Sequence, residues 1–355
     1  MTTDYKALQR EHDPSDVYGL VVALPAQIGH AREIANSFVD GVSASGFARV
    51  GVCGMGGSAI GGDLARAFLG ERLSAPIISV RGYQPPAYLR DDSLVVLSSY
   101  SGNTGETLAS YDALKGGTSV VVAITGGGEL AQRCDADGVP VCRIPGGMPP
   151  RTAVGYSLVP LLMILRVAGL ASFADWEIAE AEKVTRDVCA KNSIETSGGR
   201  AGDLAGSLVG TIPFVYAAAG LLEGVARRWS CQFEENAKTL SHYGLYTELN
   251  HNEIVGWQNP ADCLAGTSVI SLCDTDDHPL AARQREIGLE IVAPLTAGVH
   301  RVDSPAGGRL ARMIGALVFG DLVSVYLALR LGVNPAPVEK IDFLKSQLNQ
   351  GDVDA

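Results

Sequence analysis

Short runs of β-branched and aliphatic residues alternate along this chain with segments whose apolar positions recur at helical spacing. In the first half, 48–53 (ARVGVC) reads as a strand, 54–58 as a glycine-rich loop and 59–69 as a helix. Further strands are expected at 77–81, 94–99 and 120–125, a helix over 104–114, and an edge strand at 142–144. Alternation of this kind produces βαβ crossovers, and so a parallel sheet with helices on both faces. Residues 151–210 read mainly as helix. A second series follows, with strands at 212–217, 268–273 and 298–302 and helices at 221–240, 280–292, 310–331 and 338–348. The pattern predicts an α/β chain with two doubly wound parallel-sheet domains. Its expected division is a helical segment 1–35, a first domain 36–165, a helical linker 166–205, a second domain 206–335 and a C-terminal helix 336–355. The two halves are alike in pattern without obvious repetition of sequence, which suggests an old duplication.

Composition agrees with this picture. A chain of 355 residues exceeds one ordinary core and suits two domains of about 150 residues each. Apolar residues make up 46% and charged residues 19%, a globular balance. The net charge of −11 argues against a nucleic-acid surface or an anionic membrane as partner. An anionic small substrate is still allowed, provided that local dipoles and one or two placed cations hold it. The seven cysteines are scattered singly, with no C-x-x-C pair, as expected of a protein in the reducing cytoplasm. The start, MTTDYKALQREHD, is polar and mixed in charge and shows no secretory or transit peptide. The most apolar stretch, 153–171, is interrupted by Tyr156, Ser157, Pro160 and Arg166, and reads as a buried helix rather than a membrane span.

Two loops carry candidate chemistry. Gly54-Met55-Gly56-Gly57-Ser58 lies between a strand and a helix, where glycines let the backbone approach a ligand and the helix offers free N–H groups. Gly54, Gly56 and Ala59 also fit a loose dinucleotide fingerprint. The next strand, however, ends in Arg81-Gly82 instead of the acidic residue that would hold the ribose of NAD. The second loop, Ser98-Ser99-Tyr100-Ser101-Gly102-Asn103-Thr104, opens another helix. Its hydroxyls Ser99, Ser101 and Thr104 can converge on one phosphate beside loop amides. An ordinary serine-rich N-cap accounts for one hydroxyl but not for three.

The pair GMGGSAIGG and SSYSGNTGET resembles the sugar isomerase (SIS) domain, and the whole chain resembles the bifunctional phosphoglucose/phosphomannose isomerase family. Further matches follow in order: Pro150-Arg151-Thr152-Ala153, Glu234-Glu235-Asn236, Glu248-Leu249-Asn250-His251-Asn252-Glu253, and Pro337-Val338 through Leu344-Lys345. The resemblance implies two SIS domains, a homodimer with a shared active site, and interconversion of glucose or mannose 6-phosphate with fructose 6-phosphate. No metal or other cofactor is implied. It also implies that Gly56, Gly57, Ser58, Ser99, Ser101 and Thr104 contact the sugar phosphate, and that the C-terminal helix completes the site.

Aldose–ketose isomerisation needs ring opening, a base that moves a proton between C2 and C1, and stabilisation of the enediolate. Glu235, near the end of an amphipathic helix with Phe233 close by to thin out water, suits the base, and Glu234 is its rival. The family pattern favours Glu235 through its spacing to His251. Alone, an adjacent pair of glutamates is more often a solvated surface, and a lone histidine more often structural. His251 can take and give a proton near pH 7, and the resemblance implies that it reaches the site across a dimer interface. Arg151, after Pro149 and Pro150, offers a guanidinium for the enediolate oxygens, or pairs with a surface carboxylate. Lys345 is the ring-opening partner that the resemblance implies, with Lys340 as competitor. Ala336 stands where the family pattern has Thr, which touches the handling of the mannose epimer more than the isomerase chemistry. The other histidines form no H-x-H or H-E-x-x-H spacing, which disfavours a zinc-dependent isomerase. A non-catalytic sugar-phosphate sensor is the main alternative. An amidotransferase-type isomerase would need a glutaminase domain with an N-terminal Cys, and a dehydrogenase would need to bind NADPH.

Overall fold

A computed structural model describes residues 3–39 and 46–351; the outermost ends of the expected N-terminal segment and C-terminal helix lie outside the described residues. The chain starts with α1 (Tyr5–His12), α2 (Val17–Val22) and α3 (Leu24–Val39), so helix continues past the boundary expected at 35. Asp4 caps α1 by accepting from the Ala7 amide at 3.1 Å, and the buried Asp13 carboxylate accepts from the amides of Val17 and Tyr18.

The first sheet then forms from β1 (Arg49–Cys53), β2 (Ile77–Val80), β3 (Ser93–Ser99), β4 (Val120–Thr125) and β5 (Val141–Arg143), parallel throughout in the order β2-β1-β3-β4-β5. Helices α4 (Gly56–Leu69), α5 (Gly105–Leu114) and α6 (Gly128–Asp137) connect its strands. Every residue of β3 is buried, and alternate side chains serve different cores. Leu94 and Val96 join the large central core, whereas Val95 and Leu97 pack with Tyr111 and Leu130 on the other face. Helix α6 was not expected from the sequence. It buries only Leu130, Ala131 and Cys134, too few apolar positions to register as a period.

Helices α7 (Val154–Val167), α8 (Asp175–Lys191) and α9 (Gly199–Leu208) precede the second sheet. That sheet comprises β6 (Ile212–Ala217), β7 (His242–Leu245), β8 (Thr267–Cys273) and β9 (Gly298–Asp303), parallel in the order β7-β6-β8-β9. Helix α10 (Glu223–Ala237) follows β6, and the short turns α11 (Tyr246–Leu249), α12 (Glu253–Gly256) and α13 (Ala261–Leu264) lead into β8. Helices α14 (Pro279–Val292), α15 (Arg309–Arg330) and α16 (Glu339–Gly351) complete the described chain. Edge strand β7 was missed because His242 and Tyr243 are exposed and leave no alternating pattern.

The stretch expected as a linker packs one face against the core. α8 and α9 pack on α15, α7 packs on α3 and α4, and one apolar core runs from the first sheet to the second. α15 is long and apolar enough to cross a membrane, but 89% of its apolar window is buried inside the protein. It crosses α10 closely: a Cβ on Gly320 would fall 2.0 Å from the Trp229 ring. Beside that crossing, Arg228 makes a forked ion pair with Asp321 at 3.0 and 2.7 Å, both side chains being almost wholly buried. Gln232 donates to the same carboxylate at 2.8 Å, and Asn236 donates to Ser324 at 2.9 Å.

Removing one partner of a buried pair strands the other charge, so Asp321→Ala is expected to cost about 3–5 kcal/mol in urea unfolding. Glu182→Ala, which breaks the exposed pair with Arg186, is expected to cost less than about 1 kcal/mol. Equal losses would mean that the α10–α15 polar strip is not a special support.

Candidate active site

The two glycine- and serine-rich loops follow β1 and β3, neighbouring strands whose crossover helices pack on opposite faces of the sheet. That switch point is where open α/β sheets bind ligands. The loops touch: a Cβ on Gly54 would meet the Ser98 carbonyl at 2.6 Å, and Ser58 Oγ accepts from the Tyr100 amide at 3.1 Å. Ser99 Oγ lies 2.9 Å from Thr104 Oγ1 and accepts from the Gly102 amide, and Ser101 Oγ accepts from the Asn103 amide. Gly102 has φ +71 and a Cβ there would meet the Gly127 carbonyl at 1.8 Å, so only glycine fits that turn. Neither α4 nor α5 has a side-chain N-cap, which leaves their first turns to an anion. Of the six expected phosphate-contacting residues, Gly56, Gly57 and Ser58 form the first turn of α4 and Thr104 is the N-cap of α5, while Ser99 ends β3 and Ser101 lies in the loop between β3 and α5. Arg81, at the end of β2, is taken up by an ion pair with Asp63.

Arg151 links this cradle to the second half. The 3-10 turn carrying it passes against Gly57, where a Cβ would meet the Pro150 carbonyl at 2.7 Å. Its guanidinium is buried. Nε donates to Asn236 Oδ1 at 2.7 Å, and Nη2 donates to the carbonyls of Pro335 and Ala336 at 2.6 and 2.9 Å. Nη1 is 3.6 Å from Glu235 Oε2. The Arg151 carbonyl in turn accepts from Arg228 at 2.7 Å, which ties the turn to the buried pair with Asp321. Phe233 is fully buried against Trp229 in the core, so the group facing Glu235 is a cation rather than an apolar wall.

Glu235 and Glu234 both line a cleft of 770 Å³ bounded by the end of α10, Lys238 to Leu240, and the segment from Val333 to Ile341. Burial pushes the Glu234 carboxyl above the ordinary carboxylate range. Lys340 lines the cleft; Lys345 does not, and it lies exposed on α16 without a partner among the described residues. His251 lies beyond β7 between α11 and α12, exposed, with no side-chain partner among the described residues and outside the cleft lining. One chain therefore brings together the phosphate loops, Arg151 and Glu235, and leaves His251 and Lys345 facing outward. In the second sheet the loop after β8, which corresponds to the serine-rich loop after β3, carries Asp274, Asp276 and Asp277 paired with Arg312, Arg309 and Arg285. Among the described residues, no three His, Cys, Asp or Glu side chains are grouped to hold a metal ion.

Residues 198–348 match the family model for the bacterial phospho-glucose isomerase C-terminal SIS domain. A bifunctional phosphoglucose/phosphomannose isomerase of Caldicellulosiruptor bescii is 39% identical over 92% of this chain and 97% of its own. The chain belongs to the bifunctional phosphoglucose/phosphomannose isomerase family. A second member, from Aquifex aeolicus, is 31% identical over 84% of this chain and 89% of its own. Among solved structures, a hypothetical protein from Thermus thermophilus superposes with a TM-score of 0.72, at 17% identity, covering 98% of this chain and 93% of that one. The two-sheet parallel α/β architecture expected from the sequence is the fold of this isomerase family.

Lys238 was not singled out from the sequence. It holds a left-handed conformation with φ +57 just past α10 and lines the cleft, and nothing in local pattern marks such a lysine. His242 and Glu253 were missed as a pair for the same reason, being joined only by tertiary folding. His242 Nε2 is 2.9 Å from one Glu253 oxygen, and the Tyr216 hydroxyl donates to the other. The hydrogen bond to Glu253 raises the His242 pKa above its ordinary 6.5. Burial pushes the Glu253 carboxyl up, but the bonds from His242 and Tyr216 outweigh it and hold the carboxyl below its ordinary 4.5. The raised imidazole stabilises the fold fully below pH 6.5 and ceases to as pH rises through its folded value; the lowered carboxyl does so above pH 4.5 and ceases to as pH falls. Thermal stability is therefore expected to decline above pH 6.5 in the parent, and Glu253→Gln is expected to flatten that decline. An unchanged profile in the variant would remove this pair as the cause.

Proposed function

We propose that this protein interconverts glucose 6-phosphate and mannose 6-phosphate with fructose 6-phosphate, without metal, as a cytoplasmic homodimer. The observation that carries the reading is Arg151, whose backbone packs against Gly57 at the start of α4 while its buried guanidinium faces the Glu235 carboxylate. In this reading the cradle of Ser58, Ser99, Ser101, Thr104 and the amides of Gly56 and Gly57 holds the phosphate. Hydroxyl and amide donors need no surplus of cations, which suits a chain of net charge −11. The open-chain sugar then lies with its carbonyl end toward Glu235.

Glu235 takes the C2 proton of the aldose while O1 gains a proton, giving a cis-enediol. Loss of the O2 proton and return of a proton to C1 yield the ketose. Arg151 Nη1, the one guanidinium nitrogen without a hydrogen bond in the structure, is the donor available to the developing enediolate charge. Ala336 contributes its backbone carbonyl to Arg151, so the missing Thr hydroxyl leaves that contact intact. Ring opening is assigned to His251 with Lys345, or with Lys340, which lines the same cleft as Glu235. The outward-facing His251 and Lys345 support delivery from a second subunit. So do the exposed Ile341, Phe343, Leu344 and Leu348 of α16, together with exposed Leu240 beside the cleft.

Fructose 6-phosphate incubated with purified protein and EDTA is expected to yield glucose 6-phosphate, and mannose 6-phosphate when assayed for it; absence of both sinks the proposal. Glu235→Gln is expected to lower kcat by about 10³-fold or more with a nearly unchanged Ki for inorganic phosphate. Retained activity would move the base to Glu234. Mixing inactive Glu235→Gln with inactive His251→Ala should restore part of the activity if one subunit completes the other's site.

A further inference from the structure

The ammonium of Lys238 is placed where the cleft wall meets the end of the Glu235 helix. Nζ donates to the Glu235 carbonyl at 2.5 Å and to the Pro335 carbonyl at 3.1 Å. The same Pro335 carbonyl accepts from Arg151 Nη2 at 2.6 Å, so two cations share one acceptor. The strap that supplies it, Asn334 to Pro337, is braced within itself by the Ala336 amide donating to Asn334 Oδ1 at 2.9 Å, and it forms part of the 770 Å³ cleft wall. With Nε and Nη2 committed to Asn236 and the strap, Arg151 reaches Glu235 only at 3.6 Å, longer than a contact ion pair. A guanidinium freed from the strap could close on that carboxylate and reduce its basicity.

We propose that Lys238 is a positioning residue of this site: it pins the 334–337 strap to the end of α10, and the pinned strap keeps Arg151 from closing on Glu235. The inference rests on the isomerase reading for its effect on rate, but not for the pinning itself. Burial, reinforced by Arg151 and opposed by Glu235 and Glu339, lowers the Lys238 ammonium to about 8. The other titratable groups lining the cleft are Glu234, Cys231, whose thiol burial pushes up, and Lys340. The pin therefore loses its charge as pH rises through about 8. A lysine whose folded pKa lies below its ordinary 10.5 makes the fold gain stability between those values as pH rises. A fall in rate there without a fall in Tm thus reports the pin and not unfolding.

The full-length protein, Lys238→Met and Lys238→Arg are compared by kcat and KM for fructose 6-phosphate from about pH 6 to 10, by Tm, and by hydrogen exchange of the strap amides. In Lys238→Met, kcat is expected to fall about 10–100-fold with KM changed less than about 3-fold, and exchange at Val333, Asn334, Ala336 and Val338 to quicken at least about 10-fold. Lys238→Arg, which stays charged, is expected to recover most of kcat and to move the alkaline limb up by more than about one pH unit. Unchanged strap exchange in Lys238→Met overturns the proposal, and so does an alkaline limb shared by the parent and Lys238→Arg. If the parent shows no isomerase activity while Lys238→Met loosens the strap, the functional reading fails and the pinning stands.

Discussion

A buried charge needs a buried partner, and in this protein that requirement orders the interior. Arg228 on α10 and Asp321 on α15 are nearly sealed from solvent, and neither could remain charged at tolerable cost without the other. The close crossing of α10 over Gly320 holds their side chains in register, and Gln232 occupies a remaining lone pair of the carboxylate. Arg228 also donates to the Arg151 carbonyl. The interior polar strip thus ends at the site, and the turn bearing Arg151 is fixed from below by a charge network and from above by the Pro335 and Ala336 carbonyls.

That fixing is what would let two separate sheets serve the one proposed centre. The proposed phosphate cradle belongs wholly to the first sheet, at the switch point between β1 and β3. The carboxylate belongs to a helix of the second half. In the second sheet, the loop after β8 carries aspartates paired with arginines where the first sheet carries the serine-rich loop. In the proposed reading the first half holds the ligand and the second supplies the base, and the two are joined through the shared core of α7, α8, α10 and α15. An acidic chain can hold a dianion in this way because hydroxyls and helix-start amides act at hydrogen-bond distance, whereas the net field is screened within about 10 Å.

Much of this was legible in the chain. Unbroken apolar runs such as 94–97 announce a sheet buried on both faces, since a partly solvated strand would alternate with polar residues. Glycines at 54, 57 and 102 and hydroxyls at 99, 101 and 104 announce the loops, because each residue type answers a local backbone or donor requirement. Features whose meaning depends on distant partners were not legible. Arg151 could be read as an enediolate ligand or as half of a surface pair; it is buried among Glu235, two strap carbonyls and Asn236, a residue 85 positions further along the chain. Lys238, the pairing of His242 with Glu253, edge strand β7 and the packing of α8 and α9 on α15 carry no local signal either.

The sequence by itself determined the strand–helix alternation, the two ligand loops and the residue types able to move a proton, because those follow from backbone preference and side-chain chemistry over a few neighbouring positions. Tertiary structure alone decided which cation faces which carboxylate, that α8 and α9 of the expected linker pack onto α15, and that His251 and Lys345 are exposed outside the cleft lining of their own chain. Burial and ion pairing are properties of groups brought together from far along the chain, and they exist only once the helices have packed.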